Sequence, residues 1–164
     1  MAKGFIESRP ETVEWYTPPY IFEALGLRFD MDVCSPGRDI VPWVPADVVL
    51  TKAEDGLVMP WHGTVWMNPP YGGETPKWIR KLSEHGDGIA LVFSRTDTNW
   101  FHDFAAIADA ICFIKGRVYF VSGKTGVPAG RSACGSMLLA FGGKATAALE
   151  ASGLGLILKG APMN

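Results

Sequence analysis

Asn68-Pro69-Pro70-Tyr71, directly after the apolar run Thr64-Val65-Trp66-Met67, brings together residue types suited to one piece of chemistry. The Asn68 amide oxygen and the Pro69 carbonyl are both acceptors. Two successive prolines fix φ and push the residues before them toward extended backbone, so those acceptors are held rather than free to wander. Held acceptors can bind the hydrogens of an exocyclic amino group, draw its lone pair out of ring conjugation and ready the nitrogen for methylation. The Tyr71 ring can stack on a planar base. The bland reading is a Pro-rich turn with an incidental Asn; the strand before it and the order of the four residues favour the chemical one.

Such a turn needs a sheet to carry it, and the chain alternates short apolar strands with amphipathic helices as α/β domains do. Thr17 is expected to cap a helix that has Pro18 and Pro19 in its first turn and stops at Gly26. Phe29 to Cys34 reads as a strand, and residues 35–63 are too rich in Pro and Gly for helix. Thr64 to Met67 is a strand, Thr75-Pro76 is expected to cap a helix carrying Trp78, Ile79 and Leu82 and ending at His85-Gly86, and Ile89 to Phe93 reads as a strand covered on both faces. A third helix is expected from near Thr98, turning Trp100, Phe101, Phe104 and Ile107 toward the core. Ala110 to Ile114 and Val118 to Val121 read as two strands of a hairpin. The glycines of 122–135 make that segment a mobile loop. Ser136 to Phe141, Lys144 to Ser152 and Leu154 to Leu158 follow as strand, helix and strand.

With 164 residues, 48% of them hydrophobic, the chain has the means for one domain with a real core. No apolar run reaches membrane-spanning length, and Phe5-Ile6 before Glu7 makes no secretory segment. Cys34, Cys112 and Cys134 lie far apart, and the three histidines lack ligand spacing, so neither a disulfide framework nor a metal site is expected. Gly123-Lys124-Thr125 resembles the end of a phosphate-binding loop, but Val118 stands where its first glycine belongs. The net charge of −2 hides an asymmetry: residues 1–109 carry 16 acidic and 9 basic side chains. Residues 110–149 carry Lys115, Arg117, Lys124, Arg131 and Lys144 and no acid. A local basic surface is what phosphate contacts need.

Several ordered stretches then converge on one family. Trp15-Tyr16-Thr17-Pro18, Leu27 to Cys34, Asp55-Gly56-Leu57, Val65 to Gly72, Arg95 to Thr98, Trp100 to Asp103 and Lys115 to Val118 together resemble the phage-type DNA N6-adenine methyltransferases. The resemblance runs from about residue 13 to residue 141 of a chain read as one domain, 1–164. It implies a compact Rossmann-like α/β fold, a mostly parallel sheet with an antiparallel edge, and no separate target-recognition domain. The cofactor it implies is S-adenosyl-L-methionine, with Tyr16, Thr17, Pro18, Asp30, Asp32, Cys34, Asp55, Gly56, Leu57 and Asn68 around it. Asn68, Pro69, Pro70 and Tyr71 would be catalytic, and Arg95, Asp97, Arg117, Lys124 and Arg131 would meet DNA. The expected partner is double-stranded DNA and not a membrane. The chain would act as a monomer or weak homodimer in the cytoplasm of a host cell, if phage- or prophage-encoded.

Each of these motifs also has a physical reading. The helix opened by Thr17-Pro18 presents free N–H groups and a positive dipole end to an anion such as the cofactor carboxylate. Asp32, at the end of the first strand, can accept from an ammonium or from ribose hydroxyls, and Asp30, two residues earlier on the same face, competes for that role. Asp55 can accept from the cofactor adenine while Leu57 packs on its ring; a Gly-assisted turn is the competing reading. Arg95 and Asp97 follow a strand end, and Asp97 or Thr98 is expected to cap the next helix. The Asn-Pro-Pro-Tyr turn also suits a glutamine amide or an RNA base, and a non-catalytic DNA-binding relative would share the outline.

Overall fold

The computed structural model describes residues 16–123 and 127–160. Its centre is a seven-stranded sheet built from β1 (Phe29–Asp32), β2 (Ala46–Val49), β3 (Val65–Met67), β4 (Gly88–Phe93), β5 (Ala110–Ile114), β8 (Ser136–Phe141) and β9 (Gly155–Lys159). Between β5 and β8 the chain forms a separate ribbon, β6 (Tyr119–Val121) with β7 (Pro128–Arg131). The sheet order is β2-β1-β3-β4-β8-β5-β9. The pairings β2·β1, β1·β3 and β3·β4 are parallel, whereas β8 runs antiparallel to both β4 and β5, and β9 antiparallel to β5. Most strands therefore run one way. The expected antiparallel edge is only partly an edge, because β8 lies inside the sheet.

Both faces are covered, and the side-chain alternation shows it. Trp66 and Ile89 face one core with Phe22 and Leu25 of α1 (Pro19–Leu25) and Leu149 of α3 (Gly143–Ala151). Val65, Met67 and Ala90 face the other with Trp78, Ile79 and Leu82 of α2 (Thr75–His85). On the first face Phe22 meets Trp66 edge-on at 4.7 Å, and Phe29 lies 5.5 Å from the same indole. Trp66→Ala would open a void at the base of the functional strand, at a cost of about 3–5 kcal/mol.

The structure corrects several expectations. Thr17 does not cap α1: Pro18 is the cap residue, and no side chain bonds the free N–H groups. The segment 35–63, expected to be poor in helix, also contains β2 at the edge of the sheet, where Ala46 is buried and Val48 on the same face is exposed. The expected third helix is a single π-helical turn, Phe101–Ala105, and Ile107 is 58% exposed instead of entering the core. Trp100 is the residue that caps that turn, and the Thr98 hydroxyl accepts from the Phe101 N–H at its start at 3.3 Å. β5 and β6 are not hairpin partners: β5 is claimed on both sides by β8 and β9. β6 pairs with β7 instead, so Pro128–Arg131 is strand where a mobile loop was expected. Lys124, in the middle of that segment, lies outside the described residues.

Candidate active site at the end of β1 and β3

From β1 the chain passes to β2 on one side and then to β3 on the other, so the sheet changes winding direction between β1 and β3. At such a point the crevice beyond the carboxyl strand ends is left open to a ligand. Asp32 ends β1 and Asn68 follows the last residue of β3. Both line one cavity of about 20 Å³, together with Tyr16, Thr17, Cys34 and Trp66.

The Asn-Pro-Pro-Tyr turn is fixed from three directions. β3 holds its start between β1 and β4. The Thr75 hydroxyl, at the beginning of α2, donates to the Pro70 carbonyl at 3.2 Å and accepts from the Gly72 N–H at 3.2 Å. Tyr71 folds back, its hydroxyl donating to Asn68 Oδ1 at 2.8 Å. Its ring lies on Phe93 at 4.0 Å and 16°, with Phe120 edge-on at 6.4 Å. Burial pushes the Tyr71 hydroxyl's pKa up, and the Cys134 and Cys34 thiols beside it add to the shift. Phe93, Phe120 and Thr75 were not singled out from sequence as site residues. Phe93 ends an ordinary buried strand and Phe120 lies on a ribbon whose position no local pattern reveals.

Asp32 is 3% exposed and accepts from the Cys34 N–H at 3.3 Å. Loss of water pushes its carboxyl up from 3.8 to about 7, against the lowering effects of the Cys34 N–H, the Ser35 hydroxyl and Arg38. Cys34 is pushed up to about 12, first by burial and then by Asp32. A buried carboxyl so near neutrality gains much from a cation or a set of donors brought to it. Thr17 Oγ1, in the same cavity, is buried without a hydrogen-bond partner. Such a group is costly unless a ligand completes it. These two demands suit a ligand that brings a cationic or hydrogen-bond-donating group. Asp30 is engaged elsewhere: its Oδ2 accepts from the Thr64 N–H at 2.7 Å.

Asp55-Gly56-Leu57 lies against the end of β1. A side chain at Gly56 would run into the Val33 carbonyl, so only glycine allows this approach. Asp55 adopts φ 57° and its Oδ1 accepts from the Leu57 N–H at 3.0 Å, a local turn bond made by an exposed carboxylate. Arg95 and Asp97 are exposed just beyond β4. Arg117 precedes β6, and Arg131 sits opposite Tyr119 at the end of the ribbon. All three arginines are exposed and have no side-chain partner among the described residues. The ribbon reaches the cavity's rim, where the Val121 N–H donates to the Tyr16 carbonyl at 3.1 Å.

A strand-end amide acceptor, a buried carboxyl at the winding change and exposed arginines without side-chain partners among the described residues are parts expected of an enzyme that methylates amino groups on nucleic acid. The family model described as DNA N-6-adenine-methyltransferase (Dam) matches residues 8–148, and the chain belongs to that family. It is similar to the DNA N-6-adenine-methyltransferase of Haemophilus phage HP1 (strain HP1c1), 26% identical over 141 residues that cover 80% of this chain and 79% of the phage protein. No solved structure matches. Membership makes the chain a DNA adenine-N6 methyltransferase, above the glutamine amide and RNA base that the turn alone left open, and the reaction requires a methyl donor. Among the described residues no helix is long and apolar enough to cross a membrane.

Proposed function

We propose that the chain uses S-adenosyl-L-methionine to methylate a flipped-out adenine of double-stranded DNA, in a Rossmann-like methyltransferase fold formed by one domain. The observation that carries this reading is the placement of Asn68 beside Asp32 and the unpartnered Thr17 hydroxyl in one crevice at the winding change. Asp32 accepts from the cofactor's ammonium or ribose hydroxyls, with Tyr16, Thr17, Pro18 and Cys34 around it. Asp30, whose carboxylate holds the Thr64 N–H, is the weaker choice for this role. Asp55, Gly56 and Leu57 take the cofactor's adenine. Bound there, the cofactor supplies an electrophilic methyl group on a sulfonium centre.

An enzyme that acts on a base must first take it out of the stack. Asn68 Oδ1 and the Pro69 carbonyl then accept the two N6 hydrogens and release the nitrogen's lone pair toward the methyl carbon. Placement at near-attack distance supplies much of the rate, and one of the two N6 protons leaves to water after transfer while the other stays on the methylated nitrogen. In the structure Asn68 Oδ1 is held by the Tyr71 hydroxyl, so the incoming amino group replaces that bond as the Tyr71 ring turns to stack on the base. Arg95, Arg117, Arg131 and Lys124 meet phosphates or base edges, and Asp97 orients Arg95. Incubating the protein with labelled S-adenosyl-L-methionine and duplex DNA, then digesting to nucleosides, tests this. Label in N6-methyladenine is expected; label in N4-methylcytosine, or in RNA but not DNA, overturns it.

A further inference from the structure

Lys81 lies on α2, outside every motif discussed so far, yet it is the most heavily engaged cation among the described residues. Its Nζ donates to three backbone carbonyls in one loop: Gly56 at 2.9 Å, Leu57 at 3.0 Å and Met59 at 2.6 Å. An ammonium has three N–H donors, so this set uses all of them. The same Nζ sits 4.6 Å from the centre of the Trp61 ring. Trp61 in turn donates from Nε1 to the Gly56 carbonyl at 2.8 Å and lies against Trp78 of α2, ring centres 6.4 Å apart. Two donors therefore converge on the Gly56 carbonyl, while the other side of Gly56 touches the Val33 carbonyl beyond β1. The turn at Asp55 is closed locally by the Val58 and Met59 N–H groups, which donate to the Asp55 carbonyl at 2.9 and 3.0 Å, and by one Asx bond, whereas the carbonyls of Gly56, Leu57 and Met59 are gathered by Lys81. Arg80, the adjacent residue, only pairs with Glu84 at the surface.

We propose that Lys81 is a positioning residue for the cofactor loop, fixing the backbone of Gly56 to Met59 so that Asp55 and Leu57 stand where the adenine of the methyl donor binds. The inference rests on the reading that Asp55-Gly56-Leu57 holds that adenine. With all three of its N–H donors committed to this loop, Lys81 has none left for DNA or for the reacting groups. Its loss therefore acts on cofactor affinity and leaves chemistry at saturation alone. Burial lowers its pKa, partly offset by Asp55, as befits an ammonium whose water has been replaced by carbonyls.

Lys81→Met and Asp55→Ala, each titrated with S-adenosyl-L-methionine and with duplex DNA, separate this idea from the reading beneath it. Lys81→Met is expected to raise the cofactor Kd about tenfold or more, the scale of losing charge-assisted hydrogen bonds. The KM for cofactor should rise in step, with kcat and DNA Kd within about twofold, and Lys81→Arg should recover most of the affinity. A folded Lys81→Met protein with parental cofactor affinity, beside a weakened Asp55→Ala, overturns the positioning role alone. If Asp55→Ala also binds normally, the loop is not the cofactor loop and both fall. Should Lys81→Met not fold, Lys81→Gln is titrated by the same criterion.

Discussion

The carboxyl ends of β1 and β3 and the β6–β7 ribbon, which meets the crevice at Tyr16, are built in opposite ways. At the strand ends the reacting turn is already held, Tyr71 on Asn68 and Thr75 on Pro70, and the Thr17 hydroxyl alone is left without a partner among the groups described there. On the ribbon, Arg131 is exposed and unpartnered, Tyr119 and Val127 are exposed, and the pairing slips between Phe120 and Val121. On the proposed assignment of these two regions, the difference follows from what each must do. Methyl transfer rewards groups already in place, because orientation is much of the barrier. A DNA surface keeps its cations unpaired in the free protein so that phosphates can replace counterions.

Asn68→Ala would break the ordered side of this contrast most severely. The transfer step should slow by about two orders of magnitude or more, the scale of losing one transition-state hydrogen-bond partner. Cofactor binding should be mostly kept. Single-turnover transfer near the parental rate would leave Asn68 as only a turn residue.

Asp32 gives the next largest effect and a signature in pH. Because the folded carboxyl is raised from 3.8 to about 7, the folded protein holds that proton more tightly than the unfolded chain does. Asp32 therefore costs no stability below pH 4, costs progressively more as pH rises through that window, and reaches its full cost above about 7. Cofactor binding to the ionised form reverses that cost, so affinity should rise about tenfold per pH unit below 7 and level off above it. Asp32→Asn should bind more weakly and lose the slope, as calorimetry at pH 5.5, 6.5 and 7.5 would read. A parental affinity in Asp32→Asn would return Asp30 to consideration.

On the open side, Arg117→Ala, Arg131→Ala and Lys124→Ala sharpen the contrast. Loss of a phosphate contact should weaken binding to every sequence and flatten the salt dependence by about one unit of slope. Loss of a base-reading arginine should instead remove about 1–3 kcal/mol of discrimination at a single base pair. If all three variants match the parent in affinity and slope, the ribbon is not the DNA surface. The helix face of Arg80 and Lys81 is a poor substitute, since Arg80 is paired and Lys81 turned inward. The smallest effect belongs to Arg80→Ala: removing an exposed i,i+4 pair should change stability by about 0.5 kcal/mol or less in denaturant unfolding.

Much of the frame can be read without coordinates. β3, α2 and β4 fall within a residue or so of their expected limits, because each is a run of one periodicity bounded by Pro or Gly, with its apolar residues buried. The segment after residue 97 is less legible. There a stretch rich in aromatic and apolar residues, Trp100 to Ala108, yields only one π-helical turn, with Ala105 and Ala108 buried in the core that α2 shares and Ile107 left outside it. Strand partners are no more legible: β5 is as apolar as a hairpin strand, and only the position of β8 inside the sheet removes it from β6.

The order of residues alone determined the chemistry on offer: a fixed pair of acceptors at Asn68 and Pro69, two strand-end aspartates, and an acid-free stretch with five cations. These are covalent properties of side chains and of proline rings, and they survive in any fold. Tertiary structure decided which of them meet. It drew Asp32 into the cavity with Asn68 and left Asp30 on the Thr64 backbone. It placed Phe93 and Phe120 against Tyr71, and turned Lys81 from a surface cation into a clamp on a loop some 25 residues earlier. Burial and distance between remote segments set those outcomes, and neither is a property of any local stretch of chain.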